Sequence, residues 1–177
     1  MIFKKTIELV GESNFNKIKD KSVMVFGLGG VGGHATEALA RTGIGKLILI
    51  DLNKVDPTNI NRQIVALHST INQPKTEVMK TRLKDINPNL EVITYPTFYN
   101  FSNKEAVWSN HIDYVIDCID TVTFKIDIAK TCLEKNIPFI SVMGSGNKLM
   151  PEKLDIMPLA KTAYDTIDRR MRRKLYK

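Results

Sequence analysis

The segment "SVMVFGLGGVGGHATEALARTG", residues 22–43, decides the fold. Its first part, residues 22–27, is a short apolar run that predicts a buried strand. Residues 29–43 open with glycines, show helical spacing and close at Gly43, which predicts a helix. A strand that turns through glycines directly into a helix is the first half of a βαβ unit, and such units build parallel sheets.

The same alternation continues along the chain. Further strands are predicted over residues 46–51, 90–96, 114–120 and 137–144. Further helices are predicted over residues 74–88, 102–108 and 122–136, the second with Ser102 as its N-cap. After Gly146 the alternation breaks, and residues 153–159 indicate one more strand. We therefore predict an α/β, Rossmann-like fold with a mostly parallel sheet and helices on both faces.

Length and composition suit one globular domain. The chain has 177 residues, of which 43% are hydrophobic and 25% charged. No apolar run approaches the roughly 20 residues of a membrane-spanning helix, and the N-terminus has no signal-peptide pattern. We therefore predict a cytoplasmic protein. The two cysteines, Cys118 and Cys132, form neither a CxxC pair nor a disulfide framework.

Positive charge is concentrated at the end of the chain. Residues 161–177 hold seven Lys or Arg against two Asp, which is +5 of the net charge of +7. Two interpretations remain open for this basic tail. It contacts phosphate groups, or it is the solvated end of a helix.

The glycines after the first strand predict a nucleotide site. Gly27, Gly29 and Gly32 follow the GxGxxG spacing, and Gly30 lies in the same turn. Without side chains, the backbone can approach a phosphate at the N-terminus of the helix, where amide groups favour negative charge. Asp51 ends the second strand, where an acid hydrogen-bonds ribose hydroxyls. The alternative is that the glycines only allow close packing and that the aspartate is an ordinary surface residue.

The connection after the second strand carries suitable phosphate ligands. In "NINRQIVALHSTINQPK", residues 59–75, these are Asn59, Arg62, Gln63 and Lys75. A dinucleotide has only about two negative charges, which a glycine turn satisfies, whereas a triphosphate recruits Lys, Arg and a divalent cation. Because the carboxyl ends of parallel strands share one edge, these side chains favour a nucleoside triphosphate over NAD. We expect Arg62 and Lys75 to face solvent there.

An acidic pair follows the fourth predicted strand at the same edge. Asp120 is positioned to bind Mg²⁺, which prefers carboxylate and phosphate oxygens. Asp117 either supports the metal ion or orients the loop.

These motifs resemble a known family. "GLGGVG", Asp51, "NINRQ", "QPK" and "DCIDTVTFK" are similar to the adenylation domain that ubiquitin-activating enzymes share with the molybdopterin-synthase and thiamine sulfur-carrier adenylating enzymes. The resemblance implies that Asp51 holds the ribose of ATP and that Asp120 binds magnesium. It also implies phosphate contacts from Asn59, Arg62, Gln63 and Lys75. The shared reaction is attack by a carboxylate on the α-phosphate of ATP.

Within that superfamily, the chain most resembles the branch that dehydrates threonylcarbamoyladenosine in tRNA. "EALARTGIGKLILID", "TNINRQI", "PKTEVM" and "LAKTAYDTIDRRMRRKL" carry this resemblance. It implies ATP and Mg²⁺ as cofactors, tRNA as the partner, a homodimer, and catalytic roles for Arg62, Lys75 and Asp120. The carboxylate would belong to the threonyl group of a modified adenosine beside the anticodon.

Departures from the family pattern define the alternatives. Sulfur-carrier relatives have a zinc-binding CxxC after the fifth strand, and its absence here favours the tRNA branch over an activator of a ubiquitin-like sulfur carrier. A module that only binds NAD or a flavin is the third hypothesis. Relatives place an arginine in the N-terminal helix, where this chain has Lys4 and Lys5, and a glycine where it has Asn147. Relatives also continue further, so we expect a domain over 1–160 and, in 161–177, the start of a missing C-terminal part.

Overall fold

A computed structural model describes residues 2–146 and 148–176. Its strands are β1 (Ser22–Phe26), β2 (Lys46–Ile50), β3 (Glu91–Tyr95), β4 (Tyr114–Asp117) and β5 (Phe139–Ser141). Its helices are α1 (Lys4–Val10), α2 (Glu12–Lys19), α3 (Gly32–Thr42), α4 (Lys75–Ile86), α5 (Lys104–Val107), α6 (Val122–Glu134) and α7 (Thr166–Leu175). Asn147, where a further glycine was expected, lies outside the described residues.

The five strands form one parallel sheet in the order β3-β2-β1-β4-β5. Phe26, the last residue of β1, pairs with Ile50 at the end of β2 and with Asp117 at the end of β4. The three central strands therefore end at one level. The order of strands reverses between β1 and β4, and such a switch point opens a crevice at the carboxyl ends of the strands.

Apolar layers cover both faces of the sheet. Because side chains alternate along a strand, β1 and β2 bury one set of residues against α3 and α4 and the other set against α5 and α6. The first layer includes Val23, Val25, Leu47, Leu49, Ala40, Met79 and Leu83. The second includes Met24, Phe26, Ile48, Ile50, Val107, Trp108 and Ile128. The predicted α/β, Rossmann-like fold with helices on both faces is confirmed.

The prediction of a strand over residues 153–159 is wrong. Single helical turns at Pro151–Lys153 and Leu159–Lys161 flank this segment, and residues 154–158 have no regular structure. The alternating apolar residues Leu154 and Ile156 are 57% and 82% exposed. A strand needs a neighbour to pair with, and among the described residues this segment has none.

Ser102 is also not the cap of the short helix α5. Asn103 occupies the N-cap position, without a side-chain capping bond. The hydroxyl of Ser102 instead donates to Asn100 Oδ1 at 2.6 Å, and the Ser102 amide donates to the same oxygen at 2.9 Å. Asn100 therefore organises the turn before the helix, and the hydroxyl is taken up within that turn.

The basic tail contains a docked helix, α7. The side chain of Asp165 caps its N-terminus by accepting from the amides of Ile167 at 2.8 Å and Asp168 at 3.0 Å. Met171 is 1% exposed, and α7 packs along α6. Among the described residues, neither α7 nor any other helix has the length and apolarity to cross a membrane.

Glu37 joins α3 to α4 through its carboxylate. One oxygen accepts from Arg41 Nε at 2.8 Å and the other from Arg82 Nε at 2.5 Å. The hydrogen bond from Arg82 and then that from Arg41 hold the pKa of Glu37 below its usual value, and burial only partly opposes them.

Replacing Glu37 by Gln should lower the free energy of unfolding by about 1 kcal/mol at neutral pH. The folded-state pKa is depressed, so the stabilisation is present above the unfolded pKa and is lost as pH falls through the folded pKa. The difference in urea unfolding between Glu37→Gln and the parent should therefore begin to shrink as the pH falls below about 4 and should vanish below the folded-state pKa. Glu8→Gln, on exposed α1, is the control and should change stability little at either pH. A deficit that persists at low pH would show that ionisation of Glu37 is not its cause.

Candidate nucleotide-binding site

The glycines after β1 divide into two kinds. A Cβ on Gly32 would lie 1.9 Å from the carbonyl oxygen of Gly27. Gly27 has a φ of +87°, and a Cβ there would lie 2.9 Å from the carbonyl oxygen of Cys118. Packing therefore forbids a side chain at either position. Gly29 and Gly30 have room for a Cβ, with nearest atoms at 4.0 Å and 3.6 Å. Their missing side chains leave the backbone at the N-terminus of α3 open to a ligand.

Asp51 links the end of β2 to the glycine turn. Its Oδ2 accepts from the amide of Leu28 at 2.7 Å, and its Oδ1 accepts from the amide of Asn53 at 2.7 Å. Both oxygens retain lone pairs, and the residue is partly exposed. The carboxylate is thus fixed beside the turn and can accept hydroxyl donors.

Arg62 and Gln63 lie against the open glycines. The position of a Cβ on Gly30 is 3.6 Å from Arg62 Cγ, and that on Gly29 is 4.0 Å from Gln63 Nε2. Arg62 is exposed, and its Nη1 donates to the Thr58 carbonyl at 3.0 Å. Gln63 is 8% exposed, and its Oε1 has no hydrogen-bond partner among the described residues. Its amide, whose oxygen and nitrogen ends are interchangeable by a flip, has unused bonding capacity at the turn.

Asn59 shapes the loop that presents these side chains. It is 8% exposed, and its Oδ1 accepts from the amide of Asp56 at 3.2 Å. Its carbonyl oxygen accepts from the amides of Arg62 at 3.1 Å and Gln63 at 2.9 Å. The structure thus gives Asn59 a positioning role, in addition to the phosphate contact that the sequence predicts.

Lys75 does not face solvent, which corrects the expectation from the sequence. It opens α4, is only 5% exposed, and donates its amide to the Asn53 carbonyl at 3.0 Å. Among the described residues its ammonium group has no carboxylate within 4.0 Å. Its charge helps to hold the pKa of Asp56 below its usual value, after the larger effect of the hydrogen bonds from Thr58. Lys75 is thus a buried cation without an ion-pair partner in the described residues.

Asp117 and Asp120 have different environments. Asp120 is exposed and lies in the loop that leaves β4 at the carboxyl edge of the sheet. Asp117 is fully buried, forms an ion pair with Lys125 Nζ at 2.9 Å and accepts from Ser141 Oγ at 2.6 Å. Asp117 therefore orients the loop, and Asp120 is the carboxylate available to a metal ion.

Lys125 is the residue that the sequence reasoning missed. Its ammonium group is fully buried and also donates to the carbonyl oxygens of Ile119 at 3.0 Å and Val142 at 2.7 Å. A signal was present, because Lys125 falls on the same helical face as Ile128 and Cys132, both buried. A lysine on the apolar stripe of a helix needs a partner in the core.

The cysteines are not activated nucleophiles. Burial, with a smaller contribution from Asp117, raises the pKa of both Cys118 and Cys132 to about 12. Both are therefore neutral thiols at neutral pH. Residues 2–146 and 148–176 also contain no group of three or more His, Cys, Asp or Glu that could hold a metal ion.

The fold and this edge define a Rossmann-like domain with a candidate nucleotide site at the switch point of its sheet. The model of the ThiF family matches residues 3–171, so the chain belongs to the ThiF family.

Two curated relatives share one functional name. The tRNA threonylcarbamoyladenosine dehydratase of Bacillus subtilis (strain 168) is 45% identical over 168 residues, which cover 95% of this chain and 66% of that protein. The Escherichia coli (strain K12) protein of the same name is 39% identical over 170 residues, with 96% of this chain and 63% of that protein covered. The chain thus spans slightly less than two thirds of the length of these relatives.

A solved structure shows the same fold. The crystal structure of the E. coli tRNA N6-threonylcarbamoyladenosine dehydratase TcdA in complex with ATP matches with a TM-score of 0.96 at 38% identity. The match covers 99% of this chain and 72% of that chain.

Replacing Lys125 by Met should lower the free energy of unfolding by about 3 to 5 kcal/mol, because Asp117 is left buried and unpaired. Urea unfolding followed by circular dichroism measures the loss. The double variant Asp117→Asn/Lys125→Met removes both charges and should recover part of it. A single variant as stable as the parent would show that the ion pair does not hold the loop.

Proposed function

We propose that this protein uses ATP to dehydrate threonylcarbamoyladenosine beside the tRNA anticodon, closing the threonylcarbamoyl group into a ring. The observation that carries the proposal is the open turn at Gly29 and Gly30, with Asp51 fixed on one side and Arg62 and Gln63 on the other. The names of the relatives, and the ATP bound in the E. coli TcdA structure, support the choice of substrates.

The described residues fit ATP. The first amides of α3 and the guanidinium of Arg62 suit phosphate oxygens, and Asp51 suits the ribose hydroxyls. The NH2 end of the Gln63 side-chain amide, which lies beside Gly29, and the ammonium group of the buried Lys75 can both donate to phosphate oxygens. Burial strengthens such contacts because water no longer screens them.

The exposed Asp120 would hold Mg²⁺ together with phosphate oxygens, since this ion is usually bound by one or two carboxylates and its substrate. When bound, the ion neutralises phosphate charge. The buried pair of Asp117 and Lys125 fixes the loop that carries Asp120, so the Asp120 carboxylate is held at the edge where the phosphates would bind.

The chemistry needs no enzyme nucleophile. A threonyl carboxylate oxygen forms a bond to the α-phosphorus of ATP, and the bond to the bridging oxygen of pyrophosphate breaks. The carbamoyl group of the same substrate then attacks the activated carboxyl carbon and releases one N–H proton to solvent, and AMP leaves with the former carboxylate oxygen. Such an intramolecular attack gains from proximity. The protein binds, orients and neutralises charge, and the high thiol pKa of Cys118 agrees with this division of roles.

We propose that the activity takes place in the cytoplasm, because its substrate is a tRNA. A homodimer remains a prediction, which analytical ultracentrifugation of the purified chain would test.

Lys4 and Lys5 lie in the N-terminal helix, where relatives place an arginine. Both lie within 4.0 Å of Glu8 on α1, so their charges are partly compensated locally.

The direct test combines the protein, Mg²⁺-ATP and tRNA that carries threonylcarbamoyladenosine. We expect loss of one water from that nucleoside by mass spectrometry, with release of AMP and pyrophosphate. α,β-Methylene-ATP is the matched control and should give no product, because a carbon atom replaces the bridging oxygen and the bond from the α-phosphorus to that carbon is not cleaved.

Other outcomes point elsewhere. ATP binding without dehydration would contradict the proposed reaction. Pyrophosphate exchange that requires a carrier ending in Gly-Gly would favour activation of a ubiquitin-like sulfur carrier. Tight binding of NAD with no binding of Mg²⁺-ATP would indicate a dinucleotide module instead.

Replacing Asp120 by Asn should raise the Mg²⁺ concentration needed for half-maximal ATP binding by about tenfold or more, because an amide is a weaker ligand for a hard cation. Calorimetric ATP titrations at several Mg²⁺ concentrations measure the shift. Asp20→Asn, an exposed acid just before β1, is the control. An unchanged magnesium requirement would remove Asp120 from the metal site.

A further inference from the structure

Helix α7 presents a continuous cationic face. Arg169, Arg170, Arg173 and Lys174 are all exposed. They lie at i, i+1, i+4 and i+5, which places them on one side of the helix. Among the described residues, none of the four has a carboxylate within 4.0 Å. We call these four residues the α7 cationic face.

The other side of α7 is fixed to the protein. Asp168 and Met171 are each 1% exposed, and Arg172 pairs with Asp168 at 3.1 Å and donates to the Thr162 carbonyl at 2.5 Å. The carboxylate of Asp165 caps the first turn. The cations therefore project from an anchored helix, so less backbone entropy is lost when they bind a ligand.

The N-terminus of α7 lies at the carboxyl edge of the sheet. The carboxylate of Asp165 meets Gly144, three residues beyond the end of β5. Val142, in the same segment, accepts from Lys125, which also holds the loop of Asp120. The N-terminus of α7 thus lies at the sheet edge that carries the site.

We infer that the α7 cationic face binds the phosphate backbone of the tRNA. The identity of this polyanion rests on the proposed function. Three of the four side chains are arginines, which bind phosphate through two parallel hydrogen bonds. All four members of the face are charged, whereas the core of a protein–protein interface is apolar and depleted in charge. The apolar side of α7 is packed on α6, so it is not available to a membrane.

The test is the binding of a tRNA transcript without ATP, measured by fluorescence anisotropy over a range of salt concentrations. The variant Arg169→Gln/Arg170→Gln/Arg173→Gln/Lys174→Gln removes four charges and retains good helix formers. The matched control Lys5→Gln/Lys17→Gln/Lys19→Gln/Lys84→Gln removes four exposed charges from α1, α2 and α4. Circular dichroism shows whether each variant keeps its helix content.

The α7 variant should raise the dissociation constant for tRNA at least tenfold at physiological salt. The slope of log K against the logarithm of the salt concentration should also become less steep by about 3, because each phosphate contact contributes about 0.7 to 0.9 to that slope. The control should change both quantities much less, and Mg²⁺-ATP binding should be unchanged in both variants.

Equal losses in the two variants would overturn the inference, because net charge alone would then explain binding. So would an α7 variant that binds tRNA like the parent, or a parent that does not bind it. Competition by poly-glutamate as effective as that by tRNA would assign the face to an acidic protein. Since ATP binding is measured separately, loss of ATP binding in the parent would contradict the proposed function and not this inference.

Discussion

The buried ion pair between Lys125 and Asp117 is the contact on which the candidate site depends. The ammonium group of Lys125 lies within 3.0 Å of three oxygens, from the Asp117 carboxylate, the Ile119 carbonyl and the Val142 carbonyl. These come from the end of β4, the loop after it and the segment after β5. An unpaired charge in the core is costly, so the three segments are held together. Cys118, between them, packs directly against the glycine turn.

That contact explains why the glycines divide as they do. Gly27 and Gly32 are crowded by each other and by Cys118, so they let the turn pass close to the loop after β4. Gly29 and Gly30 have free space on the side of Arg62 and Gln63. One pair of glycines thus closes the fold, while the other leaves an anion site open at the N-terminus of α3. The same motif serves stability and binding at different positions.

The basic tail joins this arrangement through α7. Asp165 caps the helix and meets Gly144, so the segment that follows β5 connects the ion pair to the cationic helix. A sequence rich in arginine leaves open whether such a segment is solvated or bound. The buried Met171 answers part of that question, because it fixes which side of the helix faces solvent. The candidate RNA surface and the candidate nucleotide site therefore belong to one packed edge.

The sequence by itself determined the features that depend on local rules. Alternating apolar runs predicted the sheet and its helices, and the glycine spacing predicted the tight turn at which Asp51 lies. Both depend on backbone sterics and strand period, which act over a few residues. Only the tertiary structure decided the burial of Lys75, the partner of Lys125 and the absence of a strand over residues 153–159 in the described chain. Burial, pairing of charges and strand pairing all require a neighbour distant in sequence, and the identity of that neighbour is set by packing.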